Sequence, residues 1–314
     1  MQRIIKKDWA VALGAVFCCA LWGSAIPFIK TGYKAFSISD SDTATQILFA
    51  GIRFFLAGIL TVAMGSIAQK KLIYPKSGSS LFRAAKLSVF QTIIQYVFFY
   101  IGLAHTSGVK ASILDGISVF IAIFVSCIIF RMEKLTALKI IGSLIGFAGV
   151  FLINISSGEV KTFLNFSLTG EGFLILSTVG YACSSVFMKR YSVYDDTSML
   201  SGYQFIIGGA VMTAAGILFG GKIESFTAQG VGILIYLAFV SAAAYSVWAL
   251  LLKYNDVSHV AVYGFLTPVF GSVFSTLMLG ENTLLSLKNL ISLILMCVGI
   301  VIVNVSKKTL SKQS

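Results

Sequence analysis

The sequence predicts an all-α, polytopic membrane protein with ten transmembrane helices arranged as two five-helix repeats of inverted topology, and three observations carry that expectation. The chain is 57% hydrophobic and only 11% charged over 314 residues, too little charge to coat a soluble domain of that size. Apolar stretches of membrane-crossing length recur along it, since a hydrocarbon layer of about 30 Å takes roughly 20 helical residues. Distant stretches also resemble one another, as they do in a duplicated chain.

The apolar spans fall near residues 9–30, 47–68, 82–104, 109–130, 136–155, 169–188, 199–219, 228–252, 258–279 and 286–305. Arg3, Lys6 and Lys7 before the first span imitate a signal peptide, but the run from Trp9 is too long and lacks a small-x-small cleavage site. The expected organisation is a first repeat over 1–155, an extracytoplasmic linker over 156–168, a second repeat over 169–306 and a cytoplasmic tail over 307–314.

Duplication is legible in four places. Trp22 to Lys30 aligns without a gap onto Tyr181 to Lys189, Gly51 to Gly65 onto Gly202 to Gly216, and Gly149 to Asn154 onto Gly299 to Asn304. The stretch from Asp115 to Glu133 returns 148 residues later as Tyr263 to Glu281, with Pro268 standing where the first copy has Phe120. Five spans per half start the second half on the opposite side of the membrane, which inverts it about an axis in the membrane plane. With the N-terminus cytoplasmic, 17 Lys and Arg fall inside against 6 outside, Arg53 lying within a span. That bias predicts a multi-pass cell-membrane protein with both termini cytoplasmic. The net charge of +12 is therefore a topology signal and implies no nucleic-acid partner. The five cysteines all lie in apolar spans as small hydrophobes and suggest no disulfide framework or metal spacing.

Several motifs in this order give the chain a family likeness. They are Trp22-Gly23-Ser24, Arg53-Phe54 before Ala57-Gly58, Gly102-Leu103 to Ala111, and Leu266-Thr267-Pro268-Val269-Phe270 with Leu279-Gly280-Glu281. On these residues the chain resembles an EamA-like member of the drug/metabolite transporter superfamily over nearly its whole length. The likeness implies ten helices as two five-helix units, and uptake or export of small organic solutes such as amino acids, other metabolites or cationic toxicants, without ATP. The absence of a GxxxxGK[ST] phosphate loop agrees with this. The fourth span departs from the pattern, carrying Asp115 and no proline.

Asp115 is the sharpest candidate. A carboxylate inside an apolar span is costly unless it faces a cavity or partner, and such residues mark substrate or proton sites. The alternative is that Asp115 lies close enough to the outer end of the span to reach water, or forms a packing pair with Lys110 or Arg53. Ser118 is expected on the same helical face. Trp22 and Tyr181, repeat equivalents, join Tyr96, Tyr245, Trp248 and Tyr263 as aromatic candidates for a solute-binding cavity, and Gln95 adds an amide that needs a partner in lipid. Arg53 suits a substrate carboxylate through its fork or a structural lock on a neighbouring carbonyl or acid. Because the resemblance places an arginine there whatever the substrate, the structural role is expected. Pro268, near the middle of the ninth span, removes a backbone hydrogen bond that neighbours or a wet cavity must re-satisfy, and is expected in a gating or structural role. Glu133 and Glu281 are expected as gate or cap residues paired with adjacent basic groups such as Lys134. Gly142, Gly146 and Gly149 offer a close-packing surface, within the chain or in a weak homodimer.

These residues describe a secondary transporter for a small organic metabolite such as an amino acid, with protons as the candidate coupling ion and the bilayer as its partner. No catalytic residue, cofactor or metal site is expected. The competing descriptions are a non-transporting sensor or scaffold, which gives no reason for inverted halves, and an intramembrane enzyme, which needs paired acids or HExxH at membrane depth.

Overall fold

The computed structural model describes residues 2–39, 41–106, 108–154, 166–224, 227–279 and 287–311; Glu281 and most of the expected 156–168 linker lie outside them. Among the described residues a short helix, Gln2–Ile5, precedes the longer elements, of which α1 Asp8–Ala35, α2 Thr43–Gln69, α5 Ala137–Asn154, α7 Thr197–Leu218, α8 Ala228–Tyr254 and α10 Leu287–Ser311 are single helices, and α3, α4, α6 and α9 are composite. In α3, a π-helical Val89–Ile94 joins Gly78–Ser88 to Gln95–Ala104, whereas α4 comprises Gly108–Gly116, Ser118–Phe124 and a π-helical Val125–Ile129. A π-helical turn, Leu168–Gly172, opens α6 before Phe173–Tyr191; in α9, Val257–Ala261 passes through a 3₁₀ segment, Val262–Leu266, into Thr267–Leu279. Among the described residues nine helices are long and apolar enough to cross a membrane, and the apolar helix of α4, Ile113–Ile129, is shorter.

Local chemistry starts these helices where the windows place them. The Asp42 carboxylate accepts from the Thr45 amide ahead of α2, and Asp196 accepts from Ser198 and Met199 ahead of α7, each satisfying N–H groups that a first turn leaves open. Helix α2 stops on Lys70 in the left-handed conformation (φ 53°). Helix α10 runs on through Ser311, into the stretch expected as a tail. Pro27 lies within α1, where the Thr31 hydroxyl donates to the Pro27 carbonyl at 2.9 Å. Pro268 does not break a continuous helix. It is the second residue of Thr267–Leu279, after the 3₁₀ segment, and at a first turn its missing N–H is one the helix would leave unpaired anyway.

Two antiparallel crossings hold the bundle together. A Cβ on Gly58 would lie 2.6 Å from the Ile206 amide nitrogen and 2.7 Å from the Gly202 carbonyl oxygen, and one on Gly209 would lie 2.3 Å from the Phe55 nitrogen and 2.8 Å from the Gly51 oxygen. Gly209, Gly202 and Ile206 are the aligned counterparts of Gly58, Gly51 and Phe55, so the contact reads the same from both helices. Helices α5 and α10 repeat the pattern: a Cβ on Gly149 would meet Ser292 and Met296, and one on Gly299 would meet Gly142 and Gly146. Contacts run in opposite order along the partners in both crossings. The glycine surface of α5 is thus used within the chain. The remaining major interfaces pair off under the same exchange of halves, α1 on α8 answering α6 on α3, and α1 on α9 answering α6 on α4.

Outward faces are apolar. Ile291, Ile294, Val298, Val301 and Val305 form an exposed stripe at helical spacing along α10, and Leu13 and Phe17 are exposed on α1, as lipid-facing surfaces require. Gly209→Leu is expected to cost about 3 kcal/mol or more, because backbone and not a movable side chain occupies the space. Gly78→Ala, with nothing within 4 Å of its Cβ, should leave the thermal midpoint of the purified protein unchanged, and comparing the two melting curves checks this.

Candidate functional site

An aromatic and polar cluster lies where α1, α2, α3, α7 and α8 converge. The π-helical segment of α3 brings Gln95 against α6, whose Ser177 hydroxyl donates to the Gln95 carbonyl at 2.6 Å. Gly180 makes the approach possible, since a Cβ there would lie 2.9 Å from the Phe90 carbonyl oxygen. Such π insertions recur at functional sites because they re-aim side chains. Here the Tyr96 hydroxyl comes to 2.9 Å from the Tyr245 hydroxyl of α8. Trp22 packs edge-on against Tyr245 at 5.2 Å and Trp248 at 4.9 Å between ring centres. Phe54 closes the cluster, 4.3 Å from Tyr96 and stacked at 5.3 Å on Phe205, which meets Tyr245 edge-on at 5.0 Å.

The Arg53 guanidinium sits in the same cluster, 3% exposed, donating to the Ser241 hydroxyl oxygen from Nη2 at 2.9 Å and Nε at 3.3 Å. Its charge is felt by the Tyr96, Tyr100 and Tyr245 hydroxyls. The indole N–H groups of Trp22 and Trp248 and the Gln95 side-chain oxygen are buried and have no hydrogen-bond partner among the described residues. Asp115 is exposed on α4, forms no ion pair with Arg53, and lies within electrostatic reach of the Tyr181 hydroxyl, which in turn reaches Tyr245. The side chain of Lys110 is outside the described residues.

The structure thus gathers Trp22, Tyr96, Tyr245 and Trp248, with Gln95 next to Tyr96 on α3. Two expected members lie elsewhere. Tyr263 is 7% exposed and its hydroxyl accepts from Asn304 at 3.0 Å, turned toward α10. Ser118 begins a new helical segment beyond the turn at Ile117, so the shared face expected from a continuous helix with Asp115 is interrupted. Ser241 and Phe205 were not singled out in the sequence, because a serine and a phenylalanine in apolar spans carry no signal of their own.

A second polar centre ties helix ends together. The Glu133 carboxylate accepts from Lys139 Nζ at 2.9 Å, from the Val257 amide at 2.5 Å and from the Ser258 hydroxyl. It thereby caps the start of α9 from the end of α4, since Asp256 at the cap position makes no side-chain capping bond. Its basic partner is Lys139, not the expected Lys134, whose carbonyl also accepts from Lys139. Arg83 with Asp195 at 2.5 Å and Lys189 with Asp256 at 3.7 Å add ion pairs at the same end of the bundle.

Comparison with known proteins decides the family. The model of the EamA-like transporter family matches the chain twice, over residues 9–155 and 168–305. The chain belongs to the EamA-like transporter family. An uncharacterized transporter of Archaeoglobus fulgidus is 28% identical over 264 residues, 83% of this chain and 86% of the relative. The uncharacterized transporter YvbV of Bacillus subtilis is 28% identical over 98% of this chain and 95% of its own length. A more distant relative, at 24% identity over 81% of this chain and 80% of the relative, is the S-adenosylmethionine/S-adenosylhomocysteine transporter of Chlamydia trachomatis. One solved crystal structure of a protein superposes with a TM-score of 0.76 at 15% identity, covering 97% of this chain and 99% of the other, so the fold is shared.

In this EamA-like chain, Glu133 and Lys139 have side chains only 2% and 5% exposed. Glu133→Gln strands a buried ammonium and is expected to cost about 3 kcal/mol. Adding Lys139→Met should recover most of that, and a double-mutant cycle on the unfolding midpoints checks the coupling.

Proposed function

We propose that this EamA-like protein is a secondary transporter that carries a small organic solute across the cell membrane by alternating access, with residues 9–155 and 168–305 as inverted-topology repeats. The observation that carries the reading is the reciprocity of the α2/α7 and α5/α10 crossings, in which aligned residues meet aligned residues in opposite order. Repeats related in this way supply two near-equivalent packings around a midplane site, one open to each side. The double match of the family model supports the same duplication. Helices α4 and α9 are both interrupted at aligned places, near Ile117 and over Val262–Leu266, and paired discontinuous helices point to the solute site.

In this reading the solute binds between Trp22, Tyr96, Gln95, Tyr245 and Trp248, with Tyr181 and Asp115 at the margin. Aromatic rings carrying polar handles suit amphipathic or cationic solutes. Asp115 is the proton carrier or the counter-charge for an amine, because an exposed carboxylate in a membrane-depth helix, with no ion pair among the described residues, suits a substrate or proton site. The Glu133 tie is the gate at one end of the bundle. Both termini are placed in the cytoplasm, and use of the α5 glycine surface within the chain supports a monomer.

Uptake into proteoliposomes tests the reading, with amino acids and S-adenosylmethionine as solutes, with and without an imposed pH gradient. Gradient-driven accumulation by the parent is expected, with Asp115→Asn reducing it about tenfold or more, a loss of roughly 1.4 kcal/mol in the coupling step. No solute movement above empty vesicles for any member of the panel, from a protein with an intact melting transition, would count against transport.

A further inference from the structure

The aromatic cluster contains more buried hydrogen-bond donors than acceptors, and that imbalance has a chemical sense. Arg53 has five N–H donors in a planar fork, yet at 3% exposure its described hydrogen bonds all go to one neutral oxygen, that of Ser241. The Ser241 hydroxyl already spends its own proton on the Leu237 carbonyl at 3.1 Å. Among the described residues no carboxylate approaches the guanidinium, and the described ion pairs all lie elsewhere. A structural lock on a carbonyl or an acid, the role expected for this arginine, is therefore not what the side chain makes. Two further buried donors, the indole N–H groups of Trp22 and Trp248, lack acceptors, and both rings belong to the cluster that surrounds Tyr245. Burying a cation without an anion is among the costliest arrangements in an apolar interior, so its persistence needs an occupant that completes it.

We infer that Arg53 is an anion subsite whose counter-charge is brought by the transported solute: a carboxylate, held by the free edge of the guanidinium and assisted by the Trp22 and Trp248 indole donors. This rests on the transporter reading and narrows it, because the solute must carry an acidic group on a body that fits aromatic walls. A carboxylate meets the fork in two parallel hydrogen bonds, a geometry the single Ser241 oxygen does not offer.

Thermal unfolding of the purified full chain in detergent tests this without requiring transport. The probes are sodium acetate, sodium chloride, and two matched pairs that differ by the carboxylate: L-phenylalanine with phenethylamine, and S-adenosylmethionine with its decarboxylated form. Acetate and at least one carboxylate-bearing member are expected to raise the midpoint by several degrees more than the member lacking it. Arg53→Gln should erase that difference while its ligand-free midpoint stays at or above the parent's. Arg53→Lys, which keeps the charge and loses the fork, should retain the difference at about tenfold weaker affinity. A rise with chloride but with no carboxylate would uphold an anion subsite and assign a free inorganic anion to it, overturning the solute assignment. No response to any anion, together with a lower ligand-free midpoint for both variants, would overturn the subsite and make Arg53 structural. Binding that obeys these rules in a protein that moves no solute in vesicles would sink the transporter reading alone.

Discussion

The structure depends on backbone meeting backbone where α2 crosses α7. Lipid is as apolar as the side chains that face it, so helices in a membrane gain little from burying apolar surface against one another and associate through close packing and polar contacts instead. Gly51, Gly58, Gly202 and Gly209 remove the Cβ atoms that would hold these two helices apart, and α5 and α10 close in the same way through Gly142, Gly149 and Gly299. Because each crossing reads identically from either helix, it positions one half of the chain on the other in one relation. Every other interface inherits that relation, which is how Tyr96 and Tyr245, from corresponding helices of the two halves, come to face each other.

Periodicity and composition disclosed most of this scaffold. The window at 228–252 lies within Ala228–Tyr254 and the window at 47–68 within Thr43–Gln69, because a run of apolar residues at membrane depth leaves helix as the only way to satisfy its backbone. The interruptions were less legible. Helix α4 turns at Ile117 without a proline, and Pro268 sits where a helix restarts and not where one breaks. Glycine contacts decide such places, as at Gly116, whose Cβ would lie 2.9 Å from Val150 of α5, and a contact between distant residues leaves no local mark. Chemistry hidden in charge counting was also missed. Lys139 enters a topology tally as one more inside cation, yet it is a buried partner of Glu133.

The aromatic members of the candidate site were found for a sound reason and sorted only by geometry. Large rings with polar tips in apolar spans are unusual enough to notice, but whether a tip is used locally depends on its neighbours. The Tyr263 hydroxyl is engaged by Asn304, whereas the Trp22 and Trp248 indoles have no acceptor among the described residues. The same distinction separates Arg53 from Arg83. Both are arginines on helices of the first half, but among the described residues Arg83 meets Asp195 at the end of the bundle while Arg53 meets a hydroxyl and the Phe54 ring in the interior.

Divergence between the two copies is where a symmetric scaffold acquires direction. Asp115 and Tyr263 occupy aligned places at the interrupted parts of α4 and α9, yet one is an exposed carboxyl and the other is buried and hydrogen-bonded. Under the proposed alternating access, the opposite-facing state is reached when each half adopts the packing now held by the other. Helix α4 would then take up the enclosed surroundings of α9, and Asp115 would move from an exposed place into a buried one. A bare carboxylate resists that move by the cost of losing water, and a proton or an ammonium group on the solute removes the resistance. Under that proposal, the position of one acid in one repeat would tie the conformational exchange to the protonation or pairing of Asp115, something two identical repeats are unable to do.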